Sequence, residues 1–381
     1  MKEVYLDNAA TTKCDERVVK EMLPYFSEKY GNASSTHLKG EEARRAVEEA
    51  REIIAKAIGA KYKEIIFTGS GTESNNLALK GLFFANREKG KNHIITTKIE
   101  HDCILNSCRW LETQGAEITY LDVDEDGFVN LKQLENSVNE KTIAVSIIHG
   151  NNEIGTIQDL EEIGKICKKK NILFHTDACQ SFTKTKLDVN KMNLDLATLN
   201  AHKIHGPKGI GALYIRGGVK VIPLLHGGGQ EFKLRSSTEN VPGIIGFGKS
   251  VKISDNNDAR KMEKLRDYMI KEILKIPKVE INGAREKRLC NNINICFNNI
   301  EGESIGSFLN SKGIFTSTGS ACSSHSLEPS HVILALGKTP LQANSSVRIS
   351  ISKYTTKEEA DYFINELKKI VEKLRKMSPI K

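Results

Sequence analysis

The sequence lacks any apolar run that approaches the roughly 18 residues needed to cross a membrane. It also lacks the pattern of a signal peptide. The opening residues, MKEVYLDNAATT, enter a strand-like segment directly, without a basic region, an apolar core and a cleavage site. We therefore expect no membrane partner and a cytoplasmic location.

Cysteine pairs of the CxxC kind are absent, and the eight cysteines show no metal-ligand spacing with histidine. No metal is expected in the free protein, and most of these cysteines should be reduced and buried. A basic block is missing too, because the 56 basic and 48 acidic residues give a net charge of +8 that is spread over mixed-sign helical stretches. Direct nucleic-acid binding is therefore not expected.

What the chain does contain is an alternation of strand-like and helix-like segments. Its 381 residues, 39% of them hydrophobic, suffice for a sizeable core. Residues 39–59 and 72–88 are predicted as amphipathic helices. Short apolar runs typical of strands recur between helical stretches, at 64–68, 93–97, 117–121, 142–148, 172–175, 194–199 and 211–215. The alternation predicts an α/β fold with a mostly parallel, seven-stranded sheet covered on both faces.

A second, smaller αβ region is predicted after this sheet. A long helix that begins near residue 255 leads to strand candidates at 292–297 and 346–352. We expect a large domain at 15–255, and a small domain that combines 1–14 with 256–381 and closes over the edge of the sheet.

Polar residues follow five of the predicted strands. Because ligands of such sheets bind beyond the carboxyl ends of the strands, these residues should meet at one edge. They occupy positions 69–72, 100–101, 149–153, 177–180 and 200–203. The sequence therefore predicts a ligand site at this edge.

Three of these stretches suit pyridoxal phosphate. Lys203, beside His202 and a Gly/Pro-rich turn, is placed for a Schiff base, although a surface lysine is the commoner explanation. Asp177 can pair with the pyridine nitrogen, and a helix N-cap would explain this aspartate but not the matching lysine. The turn TGSGTESNN opens a helix and offers free N–H groups to a phosphate. Each signal is weak alone, and the combination predicts the cofactor.

Motifs along the whole chain carry a family resemblance. In order they are YLDNAATT, TESNNLALKG, HGNNEIG, HTDACQS, AHKIHGPKGIGALYIR, GGGQEFKLRSSTEN and STGSACSSHSLEPSHVILALG. From residue 4 to about residue 379 the chain resembles the NifS/IscS class of cysteine desulfurases, which are fold-type I, pyridoxal-phosphate-dependent enzymes. The resemblance implies conversion of L-cysteine to L-alanine, with the sulfur passed to an acceptor such as an iron–sulfur scaffold or a tRNA-thiolation protein.

The resemblance also implies roles for individual residues. Lys203 holds the cofactor and later moves protons, and His101 lies against the cofactor ring as an acid/base. Asp177 pairs with the ring nitrogen, and Arg348 binds the substrate carboxylate as a bidentate fork. The other implied contacts are Asn152 and Gln180 at the ring hydroxyl, Asn152 also at the substrate, and Gly71, Thr72, Asn200 and His202 at the phosphate.

Two of the implied roles involve a second subunit or a mobile loop. Thr238, in RSSTEN, is expected to contact the phosphate of the neighbouring subunit, which makes the active unit a homodimer. Cys322, in STGSACSSHS, is expected to accept the sulfur as a persulfide on a mobile loop at about 317–327. Cys322 is also a candidate ligand for a transient iron–sulfur cluster. Cys103, two residues after His101, could also lie near the site, but the resemblance assigns it no role and it is predicted to be a bystander.

Among the departures from the family pattern, two bear on the phosphate contact and on the partner protein. Asn200 stands where Ser or Thr is usual, which makes the phosphate contact at this position different from the usual one. The chain also ends at LRKMSPIK, without the longer tail that helps some members to dock the scaffold protein.

Two alternative functions stay open. An aminotransferase or lyase of the same fold, including selenocysteine lyase, would need no mobile cysteine, so the loop around Cys322 disfavours it. A non-catalytic scaffold of the same fold would not need Lys203, Asp177 and Cys322, all of which are present.

Overall fold

The computed structural model describes residues 3–318 and 328–377. Cys322 and most of the loop predicted at 317–327 lie outside these described residues. Within the described part of the chain, no helix is both long and apolar enough to span a bilayer.

The strands are β1 (Val4–Tyr5), β2 (Ile65–Thr68), β3 (His93–Thr97), β4 (Glu117–Leu121), β5 (Thr142–Ser146), β6 (Leu173–Asp177), β7 (Leu196–Asn200), β8 (Gly211–Ile215), β9 (Val279–Ile281), β10 (Asn292–Phe297), β11 (Ile314–Phe315) and β12 (Ser346–Ser350). The helices are α1 (Glu16–Met22), α2 (Pro24–Ser27), α3 (Leu38–Ile58), α4 (Gly71–Asn86), α5 (Asp102–Glu112), α6 (Leu131–Ser137), α7 (Leu160–Lys169), α8 (Val241–Lys252), α9 (Asn256–Ile273), α10 (Gly302–Asn310), α11 (His331–Ala335), α12 (Pro340–Asn344) and α13 (Lys357–Met377). Short 3₁₀ turns lie at Tyr62–Glu64, Arg87–Lys89 and Glu231–Lys233.

The large sheet has seven strands in the order β2-β8-β7-β6-β5-β3-β4. β8 is antiparallel to both of its neighbours, and the remaining six strands run in one direction. This arrangement confirms the mostly parallel sheet that the sequence predicts. β6 runs two residues beyond its predicted end, because its ladder with β7 continues until Asp177 pairs with Thr198. Asp177 is therefore the last residue of its strand.

Both faces of the large sheet are covered by helices. β2, β5, β7 and β8 are buried along their whole length, as expected for strands with a helical layer on each side. Alternate residues enter different cores: Phe67 packs with α3 and α8, whereas Ile66 packs with α4 and α5. The α4 and α5 layer thus lies directly above the strands whose ends carry the polar residues.

A second core lies outside the large sheet. β9, β10 and β12 form an antiparallel sheet, and β1 pairs in parallel with β11. Val4 and Leu6 from the N-terminus share a core with α9, β10 and α13. This separate core supports the predicted division into 15–255 and 1–14 plus 256–381, which stays a prediction.

Candidate active site

The predicted polar stretches meet at one edge of the large sheet. β2, β3, β5, β6 and β7 all point their carboxyl ends toward this edge, since they run in the same direction. The residues that follow these strands are therefore neighbours in space although they are distant in the sequence.

Asp177 and Lys203 belong to adjacent strand ends, those of β6 and β7. The Asp177 carboxylate is 4% exposed, and both of its oxygens are bonded. Oδ1 accepts the main-chain N–H of Cys179 at 2.9 Å, and Oδ2 accepts the amide of Asn75 at 2.7 Å. These bonds fix the plane of a buried anion that can face a protonated ring nitrogen.

The N-terminal segment lies across the predicted cofactor lysine. Lys203 Nζ donates to the main-chain oxygens of Ala9 and Ala10, the latter at 2.8 Å. Gln180 Nε2 donates to the same Ala9 oxygen at 2.8 Å. The segment therefore holds two of the predicted cofactor residues next to each other.

His202 lies against the same N-terminal segment, with its Nδ1 3.2 Å from Thr11 Oγ1. Burial, followed by the nearby charge of Lys203, lowers the pKa of His202 to about 3. His202 is therefore neutral at physiological pH, and any bond to a phosphate is that of a neutral imidazole.

The predicted phosphate turn begins α4, a helix of 16 residues. Ser70 is its N-cap and accepts the N–H of Glu73 at 3.1 Å, which leaves Gly71 and Thr72 in the first turn. A Cβ atom on Gly71 would lie 2.5 Å from Cys179 Sγ and 3.5 Å from Asn200 Nδ2. Any larger residue here would force the Cys179 thiol to move, and the Asn200 amide faces the helix start, where the phosphate is predicted to bind.

The residues present fit pyridoxal phosphate. Within the described residues, the side-chain oxygens of Asn152 and Asn200 are buried without a hydrogen-bond partner. Buried polar atoms are normally bonded, so these two favour a polar ligand at this edge. With the amine of Lys203, the carboxylate of Asp177 and the helix N-terminus, they form a donor and acceptor set that suits this cofactor.

His101 is the N-cap of α5, and its Nδ1 accepts the main-chain N–H of Cys103 at 3.1 Å. The Sγ of Cys103 lies 3.1 Å from the same nitrogen and 3.1 Å from Asn75 Nδ2. The side chain predicted to be a bystander thus contacts the predicted acid/base directly.

Arg348, on β12, is 2% exposed and is already oriented by protein groups. Its guanidinium donates to Asp7 at 2.9 Å and to the main-chain oxygen of Asn152 at 3.2 Å. Within the described residues its Nε has no hydrogen-bond partner. Arg348 and Asn152 are therefore adjacent, as a shared role at the substrate requires.

Thr238 is exposed, in a segment that contacts the predicted phosphate turn through Arg235, whose Nε donates to Glu73 at 2.8 Å. Its segment is anchored to the sheet by Glu231, which accepts two bonds from Arg51, at 2.7 and 2.8 Å, and one from the N–H of Phe67 at 2.8 Å. The anchor fixes where the segment leaves the sheet, and Thr238 lies beyond it on the surface.

Sequence reasoning missed Asn75, Asp7 and the main-chain oxygens of Ala9 and Ala10. Asn75 lies four residues after Gly71 and thus on the same face of α4, a spacing that could have indicated it. The N-terminal oxygens carry no such signal, because every residue type has a main-chain carbonyl.

Comparisons with known proteins agree over the whole chain. The family model for aminotransferase class-V matches residues 4–363. The cysteine desulfurase IscS of Methanosarcina thermophila is 51% identical over 382 residues, which cover 100% of this chain and 94% of that protein. A solved NifS-like protein has a TM-score of 0.92 at 42% identity and covers 98% of this chain and 100% of its own. The structure of SspA in complex with cysteine has a TM-score of 0.84 at 39% identity, with 93% of this chain and 100% of that chain covered.

Proposed function

Since the chain belongs to the class-V aminotransferase family, we propose that it is a pyridoxal-phosphate-dependent cysteine desulfurase. It converts L-cysteine to L-alanine and carries the sulfur as a persulfide on Cys322. The observation that carries the proposal is the position of two residues at adjacent strand ends. Asp177, buried and hydrogen-bonded, ends β6, and Lys203 follows the neighbouring strand β7. The similarity to IscS of Methanosarcina thermophila supports the same activity.

When bound, pyridoxal phosphate supplies an electron sink for bond breaking at the substrate's α- and β-carbons. The chain's own residues hold and orient it. Lys203 Nζ would hold the cofactor covalently and would afterwards move a proton, while the Asp177 carboxylate would keep the ring nitrogen protonated. The phosphate is received by the first turn of α4 together with Asn200 and His202, and the ring hydroxyl by Asn152 and Gln180.

The substrate is held at its carboxylate and attacked at its sulfur. Arg348 binds the carboxylate of L-cysteine, and its bond to Asp7 keeps the guanidinium in one orientation before the substrate arrives. The Cys322 thiolate attacks the substrate sulfur, and the S–S bond of the persulfide forms as the Cβ–S bond breaks. The electron pair of the broken bond stays with the β-carbon side of the substrate, and the β-carbon takes up a proton to become the methyl group of L-alanine. The imidazole of His101 exchanges protons with the substrate.

The proposal is tested by incubating the cofactor-loaded protein with L-cysteine and a reductant. We expect alanine and sulfide in equal amounts, because each transferred sulfur leaves one alanine behind. An aminotransferase would instead give a keto acid and would need an amino acceptor. Turnover of selenocysteine alone would identify a selenocysteine lyase, and binding without turnover of either amino acid would identify a scaffold.

The proposed active unit is a homodimer in which Thr238 of each subunit reaches the phosphate bound by its partner. The exposed position of Thr238 supports this arrangement. Large apolar side chains are also exposed between α1 and α2, on α2 and in the loop that follows, with Leu23, Phe26 and Tyr30 at 57, 64 and 67%. Such a group of side chains is typical of a surface that another subunit covers.

Thr238→Ala is expected to weaken cofactor retention without unfolding the subunit, since one phosphate donor is lost. Cofactor release on dilution is the measurement, and Ser237→Ala, at the neighbouring exposed position, is the matched control. Light scattering should show a dimer for both variants. A cofactor-loaded, active monomer of the unmodified protein would contradict the shared site.

The sulfur acceptor is proposed to be a protein of iron–sulfur cluster assembly or of tRNA thiolation. During delivery Cys322 could serve as a ligand of a transient cluster. A cytoplasmic location is proposed as well. The seven cysteines within the described residues are all free thiols, which suits a reducing compartment.

A further inference from the structure

Asn75 and Cys103 have no part in the proposed reaction, but they connect the carboxylate of Asp177 with the imidazole of His101. Asn75 Nδ2 donates one hydrogen to Asp177 Oδ2 at 2.7 Å and the other to Cys103 Sγ at 3.1 Å. The same sulfur lies 3.1 Å from His101 Nδ1. A continuous chain of polar contacts therefore joins the end of β6 to the start of α5.

The contacts at His101 Nδ1 determine which ring nitrogen carries the proton. The main-chain N–H of Cys103 points to Nδ1 at 3.1 Å, and an N–H group only donates. In the neutral ring the proton is therefore on Nε2. Since Nδ1 then has a single lone pair and no hydrogen, the contact of 3.1 Å requires the thiol to be the donor, and it shares this lone pair with the main-chain N–H as a second, weaker donor.

We propose that Cys103 is a positioning residue which, together with Asn75, holds the His101 imidazole neutral and in the Nε2-protonated form. If Nδ1 were protonated, its hydrogen would face the hydrogen of the Cys103 main-chain N–H. The Cys103 thiol would then have to accept a hydrogen bond from Nδ1 instead of donating one. The inference rests on the proposed function, in which His101 is the acid/base. In this inference the Cys103 thiol orients the His101 ring.

A packing role is the competing explanation, because Cys103 is half-buried and contacts the core beneath α4 and α5. Packing alone predicts that Cys103→Ala changes stability but leaves the titration of His101 unchanged. The other titratable groups around this chain of contacts remain in place in that variant; they are Glu100, Asp177, Cys179, Lys203 and His331.

The test is a pH titration of His101 by NMR in ¹⁵N-histidine-labelled protein, with and without cofactor. In Cys103→Ala we expect the pKa of His101 to rise by about 0.5–1 unit, because one donor to the neutral ring is lost. The acidic limb of kcat/KM should move to higher pH by the same amount. Cys103→Ser should restore most of the original titration, since its hydroxyl can donate to Nδ1.

Cys108→Ala is the matched control, because it removes a buried thiol from the same helix. It should lower stability without moving the His101 titration. An unchanged titration in Cys103→Ala, or an equal shift in Cys108→Ala, would overturn the inference. The NMR readout needs no turnover, so a protein that lacks desulfurase activity would refute the proposed function and leave this test intact.

Discussion

Lys203→Ala is expected to lose the covalently bound cofactor and at least about 10³-fold in desulfurase turnover, since a positioned general acid/base alone contributes roughly 10²–10⁴-fold. The fold should persist. The Ala9 oxygen that accepts from Lys203 also accepts from Gln180, so it stays bonded in the variant. The measurements are the visible absorbance of the purified protein, alanine formation from cysteine, and thermal unfolding.

The matched control for this prediction is Lys208→Ala, which removes an exposed lysine from the same motif. The competing lysine is Lys184, whose amine donates to the Gln180 main-chain oxygen at 3.0 Å. Burial lowers the pKa of Lys184 to about 8, so a larger fraction of its amine is neutral than in an ordinary lysine. Borohydride reduction followed by peptide mapping should place the cofactor on Lys203. A cofactor on Lys184 would show that the lysine assignment is wrong.

The sequence was sufficient to predict the sheet and the edge at which the site lies. Buried strands of four or five residues with an apolar centre, each followed by polar residues, define both the layer and its carboxyl end, as with β7 and Lys203. The exact end of β6 could not be predicted, because Asp177 continues the strand only through its pairing with Thr198. Such pairing is a property of the neighbouring strand.

Contacts between residues that are distant in the sequence were harder to predict than the positions of individual site residues. Cys103 and Asn75 lie 28 positions apart, and they meet because α4 and α5 pack side by side on one face of the sheet. Nothing in either helix alone indicates the partner. Thr238 illustrates another limit, since its expected ligand belongs to the neighbouring subunit and a single chain does not contain it.

The second large effect is expected for Cys322→Ser. This variant should keep its cofactor and bind L-cysteine, because the proposed mechanism assigns the cofactor and the substrate to Lys203, Asp177 and Arg348. Sulfide release should fall at least about a hundredfold, since a serine hydroxyl is not ionised near neutral pH and cannot replace the thiolate nucleophile. Binding is measured as a change in cofactor absorbance on adding cysteine, and turnover as sulfide and alanine.

Cys14→Ser is the matched control, because Cys14 is a partly exposed thiol of the described residues to which the proposed reaction assigns no role. After a single turnover without reductant, mass spectrometry should find one additional sulfur atom on the Cys322 peptide of the unmodified protein and none in Cys322→Ser. An additional sulfur on Cys103 would assign the acceptor role to the thiol beside His101. Binding and transfer would then take place at one fixed position, and delivery of the sulfur to another protein would require that partner to reach the sheet edge itself.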